Sequence, residues 1–442
     1  MNSSLMQNLA QSTGKKLVRR VLGGMDRGRL EVIDTSDGTT FVGGPGSAHG
    51  TDELDVTIEV HDPRFYPAIA LRGSAGAGEA YMRGWWTARA PNDAADVIEL
   101  LLANYEALRS MEKSLAVLVK PARRVRYWLE RNTKAGSKKN IHKHYDLSNE
   151  FFALWLDDSM TYSSAIFEPA GLSLADAQFE KLDRACRKLE LSPADHLLEI
   201  GTGWGSMCIH AAKHYGCRVT TTTISERQHE VAARRIREAG LTNQITLVKQ
   251  DYRDLEGTYD KLVSIEMIEA VGWQHLPVFM RRCCELLKPE GQALIQAITI
   301  AEGAYERAKR ERDFLKQYIF PGSCLLSIGA ITNAMRTTTD FGLFHAEDIG
   351  RHYATTLRQW RDTFWQQIDG VRALGFDETF VRMWDFYFLY CEGAFRARHA
   401  QNFQLLLTRT ACKRGPVDAA APSTSKNSPR AVETAAMRTP VA

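Results

Sequence analysis

Apolar and polar residues alternate near the start of the chain at Leu30-Glu31-Val32-Ile33 and again at Leu54-Asp55-Val56-Thr57-Ile58-Glu59-Val60. That period of two is the signature of half-buried strands, whose successive side chains face opposite sides of a sheet. A helical stretch over residues 94–111 closes this first unit. Further on, helix and strand alternate. Leu182, Ala185, Cys186 and Leu189 share one helical face, Pro193 stops that helix, and residues 196–200 read as a strand. Strands are also expected at 218–224, 245–249, 261–265, 292–299 and 403–408, with helices between them. The alternation predicts an α/β fold, a doubly wound sheet of Rossmann-like type, preceded by a smaller α+β domain. The expected boundaries are 1–115 for the first domain, 116–143 for a basic linker, 144–412 for the second domain and 413–442 for a tail rich in Ala, Ser, Thr, Pro and Arg, read as disordered.

Composition narrows the class. At 442 residues, two domains are expected rather than one. No run of eighteen apolar residues could span a bilayer. The first 22 residues carry Lys15, Lys16, Arg19 and Arg20 without an apolar signal-peptide core, so a cytoplasmic protein is expected. Eight cysteines show neither a C-x-x-C pair nor metal-ligand spacing, which argues for reduced thiols and against a metal site. A net charge of +3 selects no partner, but its distribution is uneven: nine Lys or Arg stand between Lys120 and Lys143 against the single acid Glu130. With Tyr127 and Trp128 interleaved, that segment suits an anionic membrane surface; nucleic acid would satisfy the same charges, and so would a solvated linker.

Candidate chemistry centres on Leu197-Leu198-Glu199-Ile200-Gly201-Thr202-Gly203-Trp204-Gly205, a strand ending in an acid and followed by three spaced glycines and a helix. Bare backbone at a strand's carboxyl end lets a nucleotide approach closely. The spacing G-x-G-x-G differs from the dinucleotide fingerprint G-x-G-x-x-G and matches the form used for S-adenosylmethionine, which has no pyrophosphate to cradle. The next strand ends in Thr221-Thr222-Thr223-Ile224-Ser225-Glu226-Arg227-Gln228, where Ser225-x-x-Gln228 forms a helix-capping pair; Ser225 reads equally as a cap and as a ligand contact, and Gln228 reads as a ligand contact first. Asp251-Tyr252-Arg253-Asp254 follows the third strand, at the adenine end of such sites or as a plain surface loop.

These motifs, with Gly76-x-Gly78-Glu79-x-Tyr81-x-x-Gly84-Trp85-Trp86, His144-Tyr145-Asp146-Leu147-Ser148-Asn149, Met160-Thr161-Tyr162-Ser163, Tyr318-Ile319-Phe320-Pro321-Gly322 and His352-Tyr353-Ala354-x-Thr356-Leu357, resemble the cyclopropane-fatty-acyl-phospholipid synthases and their mycolic-acid and fatty-acid methyltransferase relatives. The resemblance runs from about residue 73 to 407. It implies a class I S-adenosylmethionine-dependent methyltransferase domain in which Tyr162, Ser163, Glu199, Gly201, Gly203, Gly205, Thr223, Ile224, Gln228, Tyr252 and Arg253 surround the methyl donor. It implies a membrane-peripheral enzyme on the inner face, acting on unsaturated phospholipid acyl chains and not on nucleic acid, and it makes a homodimer plausible. An RNA methyltransferase would be the alternative of another class, but the chain lacks an aromatic motif such as N-P-P-Y.

Methyl transfer to an isolated alkene needs a dry pocket that stabilises a carbocation, and then a base. Rings at Trp360, Phe364, Trp365, Trp384, Phe386, Tyr387, Phe388 and Tyr390 could serve the cation, although core packing explains most of them. The resemblance implies that the base is a bound bicarbonate, held by a glutamate, a histidine, a tyrosine and a backbone amide. The corresponding positions are Glu269, Gln296, Tyr353 and Ser164, with Cys391 in the place of a late cysteine that reads equally as a structural thiol. Ser164 and Gln296 depart from the family's cysteine and histidine, and Glu266 adds a second carboxylate where a small residue is usual. Those departures leave open whether the cation closes to a cyclopropane or yields a methylene or methyl-branched chain.

Overall fold

The structure is a computed structural model that describes residues 3–45, 54–90, 93–108 and 147–417. The basic linker and the tail from residue 418 lie outside the described residues. The chain divides into two compact units, each built from separate stretches. The first gathers the described residues of Met1–Gly136 with Gly303–Cys324 and Tyr353–Gln401, and the second those of Ser137–Glu302 with Leu325–His352 and Asn402–Ala442. Two stretches expected inside the 144–412 domain thus belong with the N-terminal residues.

In the first unit, strands β1 (Arg29–Asp34), β2 (Thr39–Gly43), β3 (Asp55–Val60) and β4 (Trp86–Ala88) form a sheet in the order β2-β1-β3-β4. Val32, Val56 and Val60 are fully buried on one face, which is what the alternation required. Both β2 and β4 escaped the sequence reading: β2 buries only alternate residues of a five-residue strand, and β4 has three residues. Close backbone approach explains why the later stretches join this unit. A Cβ added to Gly393, on the helix Glu378–Arg396, would sit 2.6 Å from the carbonyl oxygen of Ala95 and 2.8 Å from Cβ of Ile98. A Cβ on Gly78 would lie 2.2 Å from the Phe314 ring. Because backbone cannot yield as a side chain can, Gly393→Ala is expected to cost about 2 kcal/mol, the usual penalty of overpacking. A lowered thermal midpoint would show it; a midpoint equal to that of the parent would mean the two helices can separate freely.

The second unit carries a seven-stranded sheet of β5 (His196–Ile200), β6 (Arg218–Thr222), β7 (Ile245–Val248), β8 (Tyr259–Ile265), β9 (Leu287–Ile300), β10 (Gly342–Asp348) and β11 (Ala400–Thr408), ordered β10-β11-β9-β8-β5-β6-β7. Strands β5, β6, β7, β8 and β9 pair in parallel, whereas β10 and β11 pair antiparallel. Strand β10 was not foreseen: it lies at the edge and is largely exposed, so it has no apolar rhythm. The fold is that of class I methyltransferases, a mostly parallel sheet with the order reversing beside β5, where ligands of such sheets bind.

Candidate active site

The turn after β5 is built of glycines because its backbone is left-handed: Gly201, Gly203 and Gly205 have φ of +104°, +53° and +93°, which glycine adopts without steric cost. Tyr162, Ser163, Glu199, Gly201, Gly203, Thr223, Ile224, Gln228, Tyr252 and Arg253 all line one cavity at the carboxyl ends of β5, β6 and β8. Gly205 does not; a Cβ there would meet Ile209 and Ala232, so this glycine serves the seating of the helix Ser206–Tyr215. Ser225 likewise caps the helix Glu226–Glu238, its hydroxyl accepting the Gln228 N–H at 3.3 Å. Gln228 in turn accepts the Thr223 hydroxyl at 2.9 Å through its side-chain carbonyl, which fixes that amide at the cavity wall. Asp251 grips the Arg253 guanidinium at 2.6 and 2.7 Å, and Arg253 lies over the Tyr252 ring.

The cavity's electrostatics suit a cation carried on an adenosyl group. Asp251 and Glu266 face it, with Glu199 adding a polar carboxyl, while its two basic groups are engaged: Arg253 by Asp251, and Lys181 through a 2.7 Å hydrogen bond from its ammonium to the Ser163 hydroxyl. Glu199 is buried at the end of β5 and accepts the Thr221 hydroxyl at 2.6 Å; burial raises its carboxyl to about 8. Burial also lowers the Lys181 ammonium to about 8. Lys181 was missed from sequence. The signal was there, since Gln178, Lys181 and Ala185 share a helical face that is wholly buried, and a buried lysine demands a partner.

The groups expected around a catalytic anion divide between the units. Ser164, Glu266, Glu269 and Gln296 belong to the second, Tyr353 and Cys391 to the first. Tyr353 is buried, edge-on to Trp360 and tilted over Phe395. Burial pushes the Cys391 thiol well up, the opposite of an activated nucleophile. Of the rings offered for the cation, Trp360, Phe364, Trp384, Phe386, Tyr387 and Phe388 are buried, and Phe364, Trp384, Tyr387 and Phe388 pack on one another as a core does. Trp365 is partly exposed and donates to Asp385 at 2.6 Å.

Bicarbonate does not fit the donors present. The Ser164 N–H and the Gln296 amide both donate to Oε1 of Glu266, at 3.0 and 2.8 Å, and the Asn402 amide adds a third bond at 2.6 Å. Two of the donors expected to hold a free anion, Ser164 and Gln296, are therefore bonded to a protein carboxylate. Glu269 lies outside the cavity lining; its Oε1 accepts the Ile298 N–H and its buried Oε2 has no hydrogen-bond partner among the described residues. Burial and the neighbouring Glu266 charge raise its carboxyl to about 8.

Comparison with known proteins places this geometry. The family model for mycolic acid cyclopropane synthetase matches residues 132–405. The chain is 37% identical over 377 residues to tuberculostearic acid methyltransferase of Mycobacterium tuberculosis, covering 82% of this chain and 86% of that protein. It is 34% identical over 358 residues to the cyclopropane-fatty-acyl-phospholipid synthase of Escherichia coli, with 80% and 87% covered. Among solved structures, mycolic acid cyclopropane synthase CmaA1 complexed with SAH and CTAB superposes with a TM-score of 0.58 at 28% identity, over 61% of this chain and 98% of that one. A glycine turn at a parallel-sheet edge, an acid-lined cavity beside it and relatives matched over most of their length converge: the chain is an S-adenosylmethionine-dependent enzyme of the mycolic acid cyclopropane synthetase family.

Proposed function

We propose that this enzyme transfers the methyl group of S-adenosylmethionine to the cis double bond of an unsaturated acyl chain carried on membrane phospholipid, forming a cyclopropane. The observation that carries the reading is the match to the Escherichia coli synthase over 87% of that protein, together with the cavity built around Gly201 and Gly203. Glu199, Thr223, Gln228, Tyr252 and the backbone of the glycine turn would hold the donor, which supplies an electrophilic methyl on a sulfonium. The chain's own groups orient it, keep acids near its positive charge and leave the basic side chains occupied. Among the described residues no helix is long and apolar enough to cross a membrane. In this reading the enzyme meets its substrate at the inner membrane face, with the basic segment 120–143 at the headgroups.

A second product is favoured by one specific observation. The tuberculostearic acid methyltransferase matches at 37% identity against 34% for the synthase, and Gln296 stands in place of the histidine the resemblance expects. Loss of a different proton would give a methylene or methyl-branched chain from the same cation. Incubation with S-adenosylmethionine and unsaturated phospholipid vesicles is expected to add one CH2 per modified double bond, with cyclopropane protons appearing upfield of other aliphatic signals. Labelled methyl entering RNA and not lipid would overturn the substrate class.

A further inference from the structure

The carboxylate of Glu266 occupies two of the donors that a free anion would use, the Ser164 N–H and the Gln296 amide, and its surroundings are built to keep it there. Glu266 follows the last residue of β8 with φ of +47°, a left-handed conformation that costs a non-glycine residue on the order of 1 kcal/mol. Its N–H donates to the Gln296 carbonyl at 2.8 Å, which ties the strained backbone to β9. Gln296 cannot present its carbonyl to Glu266, because Oε1 of Gln296 already accepts the Gln404 amide at 3.1 Å. Gln404 is oriented in turn by the buried Lys188 ammonium, which donates to its Oε1 at 2.8 Å and also pairs with Glu347. A chain of fixed donors therefore runs from Lys188 through Gln404 and Gln296 to one carboxylate oxygen, where the Ser164 N–H and the Asn402 amide also converge. Neutral amides can hold an anion in this way without titrating. Glu266 also lines the cavity, beside Gly201, Ser163 and Met267.

We propose that Glu266 is the catalytic base of this enzyme and that its tethered carboxylate replaces bicarbonate, so that turnover needs no dissolved anion. The inference rests on the methyl-transfer reading above. In that reaction the alkene's π pair forms a carbon–carbon bond to the donor methyl as the carbon–sulfur bond breaks, its electrons remaining on sulfur. The positive charge passes to the neighbouring chain carbon. The Glu266 carboxylate then accepts a proton from the transferred methyl, and the released C–H pair closes the ring; the carboxylic acid later gives its proton to water. A carboxylate and bicarbonate offer the same planar O–C–O edge, which explains how one set of N–H donors can serve either.

The test uses the full chain in buffer stripped of carbon dioxide. The wild type is expected to turn over at the same rate with and without added bicarbonate. Glu266→Ala is expected to lose about 100-fold or more in kcat, the usual contribution of a general base, and to recover part of that loss when bicarbonate is added. Glu266→Gln, which fills the same space and keeps the donors engaged, should melt like the parent, stay inactive and resist rescue. Binding of 13C-labelled bicarbonate, followed by NMR, reads the site without any lipid: Glu266→Ala should bind it and the wild type should not. Stimulation of the wild type by bicarbonate, 13C-bicarbonate binding to the wild type, or undiminished activity of Glu266→Ala would each overturn the proposal. A wild type that labels no lipid at all would instead refute the methyl-transfer reading, with the NMR comparison still deciding what Glu266 displaces.

Discussion

Gly203→Val is expected to weaken S-adenosylmethionine binding by about 100-fold or more, a loss of roughly 3 kcal/mol at 1.4 kcal/mol per tenfold change. Gly203 lines the cavity at φ +53°, and a Cβ added there would meet no protein atom within 4 Å. The new side chain therefore enters space that a bound ligand needs, while the protein around it has nothing to clash with. The strain of a left-handed valine, about 1–2 kcal/mol, is the same kind of penalty anywhere in the chain. Gly240, at φ +70° with nothing within 4 Å, supplies the control, because it lies outside the cavity. Calorimetric titration should show Gly240→Val binding normally despite comparable destabilisation. Equal affinities for the two variants would mean that the glycine turn does not touch the donor.

The second large effect is on stability against pH. The Glu269 carboxyl has an ordinary value of 4.5 and is raised to about 8 in the fold, first by burial and then by the Glu266 charge. Between those two values the folded chain holds a proton that the unfolded chain has lost. Stability is therefore full below about 4.5 and falls as pH rises towards 8, at about 1.4 kcal/mol per pH unit for one such group. Glu199 is raised to about 8 by burial and adds a decline of the same sign. Lys181, lowered to about 8, works in the opposite sense and only from there up to its ordinary 10.5. Glu269→Gln removes one of these declining contributions, so its melting temperature should fall less between pH 5.5 and 8 than that of the parent, and the variant should be the more stable of the two proteins at pH 8. Parallel melting curves for both proteins would show that Glu269 is ionised at neutral pH.

What the sequence made legible here was local. The acid at the end of β5, the three glycines after it and the serine that starts the next helix each act over a few residues, and sequence spacing records such short-range demands. The carboxylate network was not legible, because its members come from four places: Ser164, Glu266 after β8, Gln296 in β9 and Asn402 in β11. Asn402 carries no motif, and only the neighbouring of β11 and β9 in the sheet brings it to Glu266. The resemblance assigned Gln296 and Ser164 to an external anion, and the extra carboxylate at 266 was the one sign that a side chain might take that place. The grouping of residues 303–324 and 353–401 with the N-terminal unit was illegible for a similar reason. These residues read only as helices between strands, and their partners in the N-terminal unit are fixed by glycine contacts such as Gly393 on Ala95 that no periodicity reveals.

The most direct test of the central claim is to supply S-adenosylmethionine with a fully deuterated methyl group to vesicles of unsaturated and of saturated phospholipid, and to weigh the acyl chains. Only the unsaturated chains are expected to gain mass, each modified double bond acquiring one CD2 unit and losing its vinylic proton signals. Unlabelled unsaturated chains, or label taken up equally by saturated ones, would contradict it.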